Sequence, residues 1–212
     1  MRTVSEPGWD GPANLVAAVR TAVHSESWGR GVLITLDEEI HAAAEATKWH
    51  TQHLAAFRSP HGPLGSLDRG RVRYHRPVVP RRSYPAKRLV SRVDLHTMAA
   101  GVDGALIRAS LRRGACGLVI EATGCGNVPP AVLPALREAL SRNRPVVLVS
   151  RCAEGRVAPA YGYPGGGQRL REMGVIFGGE MPGPKARIKL MVVLGLTSDS
   201  GEIRRLFDDA GS

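Results

Sequence analysis

The sequence predicts an α/β fold, with a complete C-terminal α/β domain built on a parallel sheet and a partial N-terminal part. Two observations predict it. From Ser91 onward, short apolar segments alternate with amphipathic ones, which is typical of βαβ units. Before that point the chain carries few elements, and these lead into a basic, proline-rich segment. We therefore expect the N-terminal part at 1–76, a linker at 77–90 and the C-terminal domain at 91–212.

The sequence of the N-terminal part predicts one helix, one buried strand and one hairpin. Asp10-Gly11-Pro12 supplies an N-cap and a proline in the first turn, so the helix should run to about His24. The apolar run at 31–37 is typical of a strand covered on both faces, as in a parallel sheet. Asp68-Arg69-Gly70 indicates a hairpin turn. Because one such strand has no parallel neighbours here, we expect sheet strands to be missing before Met1.

The C-terminal domain predicts strands and helices in regular alternation. Gly114 should end its first helix, and prolines should open the second. The predicted order is strand 92–99, helix 103–111, strand 116–123, helix 129–143, strand 145–150, helix 167–173, strand 174–179, and closing helices 185–196 and 201–210.

The net charge of +10 comes mostly from one segment. Between Gly70 and Val93 there are eight Lys or Arg and no acid, which leaves the rest of the chain at about +2. Three prolines in this segment exclude a regular basic helix. A solvated linker is favoured over a polyanion-binding strip, because its two tyrosines are too few to form a stacking platform. A nucleic-acid partner is therefore not expected.

Other features of the composition bear on the compartment. No run of about eighteen apolar residues occurs, so neither a membrane span nor a membrane partner is expected. The N-terminus lacks the apolar core of a signal peptide, which predicts a cytoplasmic location. Cys116, Cys125 and Cys152 form no C-x-x-C pair, and an odd count argues against a disulfide framework.

Lys48 is the first candidate site residue, because it lies between Thr47 and Thr51. A solvated loop and a catalytic lysine are the two interpretations of this pattern. An ammonium beside a hydroxyl lowers the cost of removing the hydroxyl proton, and a partly buried lysine can itself shuttle protons. His50 and His53 could share a helical face, but no histidine has zinc-site spacing, and no metal is expected. A serine hydrolase is not predicted either, since the sequence has no Gly-x-Ser-x-Gly elbow.

Asn127 is the second candidate, in the segment ATGCGNVPPA at 122–131. The glycines permit a tight turn after a strand, and backbone N–H groups at the following helix start could hold an anion or carboxylate. Asn127 could add a specific hydrogen bond, and a purely structural turn is the alternative. The loop 156–168 could be a mobile lid or an interface loop hinged by Gly165-Gly166-Gly167, and a flexible connection is the alternative.

Taken together, these segments resemble the bacterial-type L-asparaginase family. The resemblance runs from about Asp10 to Phe207 and rests on DGPANLVAAV, GVLITLDEEIHAA, ATKWHT, AAFRSPHGPLG, GRVRYHRP, GACGLVIEATGCGNVPP, VVLVSR, GRVAPAYGYPGGG and PKARIKLMVVLGL. It implies a larger, doubly wound N-terminal domain, of which 1–76 is a remnant, and a smaller C-terminal domain. It also implies hydrolysis of L-asparagine to L-aspartate and ammonia through a threonine acyl-enzyme, with no metal or other cofactor.

The resemblance also implies roles for both candidates. Lys48 falls on the family lysine that supports the nucleophile together with a second threonine and an aspartate. Asn127 falls on the asparagine that reaches toward the substrate in a neighbouring subunit. The implied partners are asparagine, or glutamine, and further copies of the chain in a homotetramer built from dimers.

The departures from the family are as informative as the matches. The T-G-G-T and G-T-D-T segments that carry the threonines and the aspartate do not occur in this sequence. Asp37 and Cys125 replace family asparagines, and the loop 156–168 lacks an acid that some members supply. We therefore expect the isolated chain to be inactive and poorly soluble. The alternatives are a non-catalytic interaction module that uses the basic linker, and a subunit of an asparaginase-like tRNA amidotransferase.

Overall fold

The computed structural model describes residues 1–78 and 83–208, and the chain divides into two compact units, Met1–Arg82 and Ser83–Ser212. Residues 79–82 of the predicted linker and residues 209–210 of the last predicted helix lie outside the described residues. The predicted domain limits, 1–76, 77–90 and 91–212, stay a prediction. Across the described residues, no helix combines the length and the apolar character that a membrane crossing requires.

The first unit combines one helix with short antiparallel strands. The sheet order is β1-β2-β5-β6, and β3 and β4 form a separate two-stranded ribbon. Asp10 precedes the helix, which has a proline in its first turn as predicted. The elements are α1 (Gly11–Val23), a 3₁₀ turn (Ser25–Ser27), β1 (Leu33–Leu36), β2 (Glu39–Ala42), β3 (Thr47–Lys48), β4 (Phe57–Arg58), β5 (Gly65–Asp68) and β6 (Arg71–Tyr74).

The prediction of a buried, parallel-type strand at 31–37 was wrong. All four β1 residues are only partly buried, and β1 pairs antiparallel with β2. The two strands are joined by Asp37 and Glu38, whose φ angles are 50° and 60°. Two successive positive φ angles are the mark of a tight hairpin turn, which usually contains glycine or asparagine. The sequence pattern missed this hairpin because Asp-Glu is not a typical turn pair.

The predicted hairpin at Asp68–Gly70 is confirmed. Asp68 pairs with Arg71 across β5 and β6, and Arg69 and Gly70 both have positive φ. The core beneath this sheet is small and consists of the buried residues Ala17, Ile40 and Leu67, with three partly buried neighbours. On the opposite side of α1, apolar residues are exposed: Leu15, Val16, Val19 and Val23.

The second unit is a three-layer α/β domain. Its strands follow in the order β7-β8-β9-β10, and all are parallel, as predicted. The elements are β7 (Val93–Thr97), α2 (Ala105–Arg112), β8 (Gly117–Ala122), a 3₁₀ turn (Pro130–Val132), α3 (Leu133–Ser141), β9 (Val146–Ser150), α4 (Gly167–Met173), β10 (Ile176–Phe177), α5 (Gly183–Leu196) and α6 (Ser200–Asp208).

The strand order explains where the helices lie. When each right-handed βαβ connection adds the next strand on the same side of the previous one, the connecting helices all lie on one face of the sheet. Accordingly α2, α3 and α4 share one apolar cluster, while α5 and α6 share a second cluster on the other face. Alternate residues of β8 serve the two clusters: Leu118 and Ile120 face the first, and Val119 faces the second. Full burial of each such side chain stabilises the unit by about 1.5–3 kcal/mol.

Candidate functional site

The turn that carries Asn127 follows directly after β8. The backbones of Thr123 and Asn127 form a β-bridge, in which the Thr123 and Asn127 N–H groups donate to each other's carbonyls over 2.9 and 3.0 Å. The Thr123 hydroxyl donates to the same Asn127 carbonyl over 3.0 Å. Gly124 and Gly126 have φ angles of 53° and 124°, which close the turn. The predicted tight glycine turn is therefore confirmed.

The turn is braced by its neighbours at the carboxyl ends of β8 and β9. The Ser150 hydroxyl donates to the Gly124 carbonyl over 2.7 Å, and the Ala158 N–H donates to the Cys125 carbonyl over 2.8 Å. The carboxyl ends of parallel strands are where ligands bind in open α/β sheets. The Asn127 Oδ1 atom is buried and has no hydrogen-bond partner within the described residues. A buried oxygen of this kind can accept a hydrogen bond from a ligand.

The expectation of backbone donors at the helix start is not supported. Pro129 and Pro130 have no N–H group, and the Val128 N–H already donates to the Gly165 carbonyl over 2.9 Å. The Val132 N–H likewise donates to the Pro129 carbonyl over 3.0 Å. Because none of these four positions offers a free N–H group, the Asn127 side chain is a better candidate binding group than any of them.

The three glycines at 165–167 have a packing role in the structure. All three are buried, and each lies against another backbone segment. An added Cβ would meet the Val128 carbonyl at 2.2 Å from Gly165, the Tyr161 carbonyl at 2.4 Å from Gly166, and the Ala158 carbonyl at 2.5 Å from Gly167. These glycines therefore allow close backbone approach, and a mobile lid or an interface loop at 156–168 stays a prediction.

Lys48 lies at the end of β3, opposite Phe57 of β4. Its side chain is exposed, as is that of Thr47, and its catalytic role stays a prediction. The ribbon continues beyond the strands, because the Trp49 N–H donates to the Ala56 carbonyl over 2.7 Å. Lys48 is thus a cation on a short antiparallel ribbon.

Arg76 contacts residues on both flanks of the two-stranded ribbon formed by β3 and β4. Its guanidinium forms a two-pronged contact with the carboxylate of Glu45, two residues before β3. It also donates to the carbonyl of Gly62, beyond β4, over 2.7 Å. The side chains of Arg76 and Glu45 are only 19% and 12% exposed, so this ion pair is poorly screened by water. The backbone that carries Lys48 is therefore anchored even though its side chain is exposed.

His50 and His53 do not share a helical face, because this segment is a turn. Their rings stack at 3.6 Å with an interplanar angle of 14°. The N–H groups of Gln52 and His53 both donate to His50 Nδ1 over 3.1 Å. No group of three or more His, Cys, Asp or Glu side chains in the described ranges could hold a metal ion.

The sequence patterns did not predict one cluster of polar side chains in the first unit. His41 is 2% exposed and contacts Ser59 through Nδ1 at 2.9 Å and Glu39 through Nε2 at 3.0 Å. Glu39 and His41 are two residues apart on β2, so they project from one face of that strand. Ser59 lies in a distant turn, and no spacing in the sequence pointed to it. Lys48 belongs to the first unit and Asn127 to the second.

The comparisons with known proteins match both units to domains of one family. The domain described as "Asparaginase, N-terminal" matches residues 1–80, and "Glutaminase/Asparaginase C-terminal domain" matches residues 92–207. Among similar proteins, a probable L-asparaginase of Deinococcus radiodurans is 38% identical over 98% of this chain and 64% of its own length. An L-asparaginase of Bacillus licheniformis is 32% identical over 91% of this chain and 60% of its own.

A third relative has a different name. A glutamyl-tRNA(Gln) amidotransferase subunit of Pyrococcus horikoshii is 30% identical over 97% of this chain and 49% of its own length. The chain thus spans less than two thirds of the length of these relatives. The predicted fold class, α/β with part of a doubly wound N-terminal domain and a smaller C-terminal α/β domain, is confirmed. The matches of both domains, in their order along the chain, show that it belongs to the asparaginase family.

Proposed function

We propose that this chain forms part of an amidohydrolase that converts L-asparagine and water to L-aspartate and ammonia. The observation that carries the proposal is the match of two consecutive asparaginase domains over residues 1–80 and 92–207. Glutamine differs from asparagine by one methylene group and is the second substrate we propose. The reaction needs no metal, since an activated hydroxyl can attack the amide carbonyl and form a covalent acyl-enzyme.

Lys48 supplies positive charge to the nucleophile in this proposal. A threonine hydroxyl is a weak nucleophile until its proton is removed, and an adjacent ammonium stabilises the alkoxide that forms. The T-G-G-T and G-T-D-T segments that would provide this threonine do not occur in the 212 residues. We therefore expect these residues alone not to hydrolyse asparagine, because Lys48 cannot replace the missing nucleophile.

Asn127 contributes to substrate binding in the proposed enzyme. Its buried Oδ1 accepts a hydrogen bond, and both the ammonium and the side-chain amide of asparagine are suitable donors. We propose that this contact is made to a substrate held by a neighbouring copy of the chain, in a dimer or a dimer of dimers. The braced turn after β8 favours such a role, because it holds the side chain in one place.

The test is ammonia release from asparagine in two mixtures. The 212-residue chain alone should release none above background. Addition of a polypeptide that carries the T-G-G-T and G-T-D-T segments of an asparaginase N-terminal domain should restore release. In the restored mixture Lys48→Met should abolish activity and Asn127→Ala should mainly raise KM, while the exposed control Lys87→Met should change neither. Ammonia release by the chain alone, or full activity of Lys48→Met, would refute the proposal.

A second candidate function is that of a tRNA amidotransferase subunit. It is favoured by the 30% identity to the Pyrococcus horikoshii protein over nearly the whole chain. In that case, ammonia release in the restored mixture should depend on a charged tRNA and should prefer glutamine. An activity on free asparagine that does not respond to charged tRNA would rule this candidate out.

A further inference from the structure

Three side chains of the first unit form a continuous hydrogen-bonded line. Ser59 Oγ lies 2.9 Å from His41 Nδ1, and Glu39 Oε2 lies 3.0 Å from His41 Nε2. The imidazole is 2% exposed, whereas the Glu39 side chain is 40% exposed. A hydroxyl, a base and a carboxylate in hydrogen-bond contact are the arrangement that activates serine nucleophiles on unrelated folds.

For an ionised Glu39 and a neutral His41, the contacts assign the ring proton to one nitrogen. An ionised carboxylate can only accept hydrogen bonds, so His41 Nε2 must donate to Glu39. In the neutral ring Nδ1 then has a free lone pair, and the Ser59 hydroxyl must donate to it. The hydroxyl proton of Ser59 is therefore directed at a base before any ligand binds. Glu39 holds this tautomer and would stabilise the imidazolium that forms when the proton moves.

The described residues contain two other Ser–His pairs for comparison. Ser66 Oγ lies 2.9 Å from His75 Nε2, and Ser110 Oγ lies 3.0 Å from His96 Nε2. In the described parts of the chain, no carboxylate hydrogen-bonds to the second ring nitrogen of either histidine. His41 alone among the three combines a serine on one side with a carboxylate on the other.

Ser59 is also accessible and held in place. It directly follows β4, is partly exposed, and lies between the exposed residues Arg58 and Pro60. The Gly62 N–H donates to the Ser59 carbonyl over 3.0 Å, and Arg76 donates to the Gly62 carbonyl over 2.7 Å. Ser59 is thus partly exposed at the surface of the unit, while its base is shielded within it.

We propose that Ser59 is an activated nucleophile that accepts acyl groups from small activated carboxylic esters. Ser59 Oγ forms a bond to the ester carbonyl carbon while His41 Nδ1 takes the hydroxyl proton. The carbon–oxygen bond to the leaving alcohol then breaks, and that alcohol takes the proton back from His41. A water deprotonated by His41 next attacks the acyl-serine, which releases the acid and restores the Ser59 hydroxyl.

This site is independent of the proposed asparagine hydrolysis. It uses neither Lys48 nor Asn127, and it requires no segment beyond the described residues. Activated esters are the appropriate substrate class because a phenolate leaves readily, so the tetrahedral intermediate needs less stabilisation than one formed from an amide. The ester activity can therefore be present while asparagine hydrolysis is absent, and the reverse also holds.

The test is covalent labelling of the 212-residue chain with a fluorophosphonate probe. Ser59 Oγ attacks the phosphorus, fluoride leaves, and the proton passes to His41, so one stable adduct forms. Peptide mass spectrometry should place the adduct on Ser59, and Ser59→Ala should abolish it. The matched control Ser66→Ala should leave the labelling rate unchanged. Release of p-nitrophenol from p-nitrophenyl acetate should follow the same pattern above the background of Ser59→Ala.

Glu39→Gln separates an activated serine from one that is merely accessible. The amide keeps the size of Glu39 but lacks its charge, so labelling should fall by about tenfold or more. Circular dichroism would confirm that the variant is folded, and His41→Gln should reduce labelling at least as strongly. An adduct spread equally over Ser59 and Ser66, no adduct at Ser59, or an unchanged rate in folded Glu39→Gln would each overturn the proposal.

Discussion

The turn that carries Asn127 depends on two glycines that should respond very differently to alanine. Gly124 has a φ of 53° and an added Cβ would meet nothing within 4 Å. Gly126 has a φ of 124°, and an added Cβ would lie 3.1 Å from Cδ2 of Leu148 and 3.6 Å from Cβ of Val157. Leu148 is fully buried in the core of the second unit and cannot move without disturbing the sheet. The two substitutions therefore form a matched pair.

The expected costs follow from these geometries. A non-glycine residue in the left-handed region costs about 1–2 kcal/mol, and alanine recovers part of this by restricting the unfolded chain. Gly124→Ala should thus lose about 1 kcal/mol. Gly126→Ala adds about 1–3 kcal/mol of backbone strain to about 1–3 kcal/mol of overpacking against Leu148. Its free energy of unfolding should fall by about 2–6 kcal/mol before the same partial recovery by alanine is subtracted.

Hydrogen exchange measured by mass spectrometry on peptides of β8 and β9 is a suitable assay. A loss of 2 kcal/mol accelerates exchange of globally protected amides by roughly thirtyfold. All three tryptophans, Trp9, Trp28 and Trp49, belong to the first unit. Urea unfolding followed by tryptophan fluorescence should consequently stay unchanged in both variants. If hydrogen exchange were accelerated equally in Gly124→Ala and Gly126→Ala, the larger cost of Gly126→Ala could not come from its φ angle and the contact with Leu148, and the reasoning would be refuted.

Further predictions concern the ion pair, a core position, a histidine and the exposed helix face. Glu45→Gln leaves the Arg76 guanidinium without its buried carboxylate and should destabilise the first unit by about 2–4 kcal/mol in tryptophan-monitored urea unfolding. Leu190→Ala in α5, whose side chain is fully buried, should cost the second unit about 2–5 kcal/mol by hydrogen exchange. Burial lowers the pKa of His96 in the folded state, and the charge of Asp94 partly opposes this shift. As pH falls through about 6.5, His96 is therefore protonated in the unfolded state before it is protonated in the folded state, and the free energy of unfolding decreases. Exchange of β7 amides, corrected for intrinsic rates, should therefore accelerate below that pH in the parent chain and less so in His96→Gln. Val19→Lys should reduce the light scattering expected from self-association, because Val19 is 56% exposed within the apolar face of α1.

The second unit was predictable because its signals are local. Each βαβ segment has an apolar strand followed by an amphipathic helix, and right-handed crossovers leave few ways to order four such strands. The glycine turn before Asn127 was also predictable, because glycine is the residue that most readily adopts positive φ angles, as Gly124 and Gly126 do. The sequence did not reveal that N–H groups at the helix start already form hydrogen bonds, because one of them donates to Gly165 in a separate loop.

The first unit was less predictable because its strands are short and pair over distance. The strands β3 and β4 contain two residues each, and Thr47–Lys48 is a strand only because Phe57–Arg58 lies beside it. The contact between His41 and Ser59 likewise joins residues eighteen apart, across a segment with no periodic pattern. Only the spacing of Glu39 and His41, which suits one face of a strand, was available as a signal.

Asn127 gives the strongest structural reason to expect a ligand at the carboxyl end of β8. A buried acceptor without a partner costs about 1–3 kcal/mol, and an apolar side chain of similar size would avoid that cost. The turn does not need the amide, because it is closed by the backbones of Thr123 and Asn127 and by the glycine φ angles. Among the described residues, nothing offsets the cost of removing this oxygen from water. A hydrogen-bond donor from outside the unit would offset it, as the substrate would in the proposed reaction.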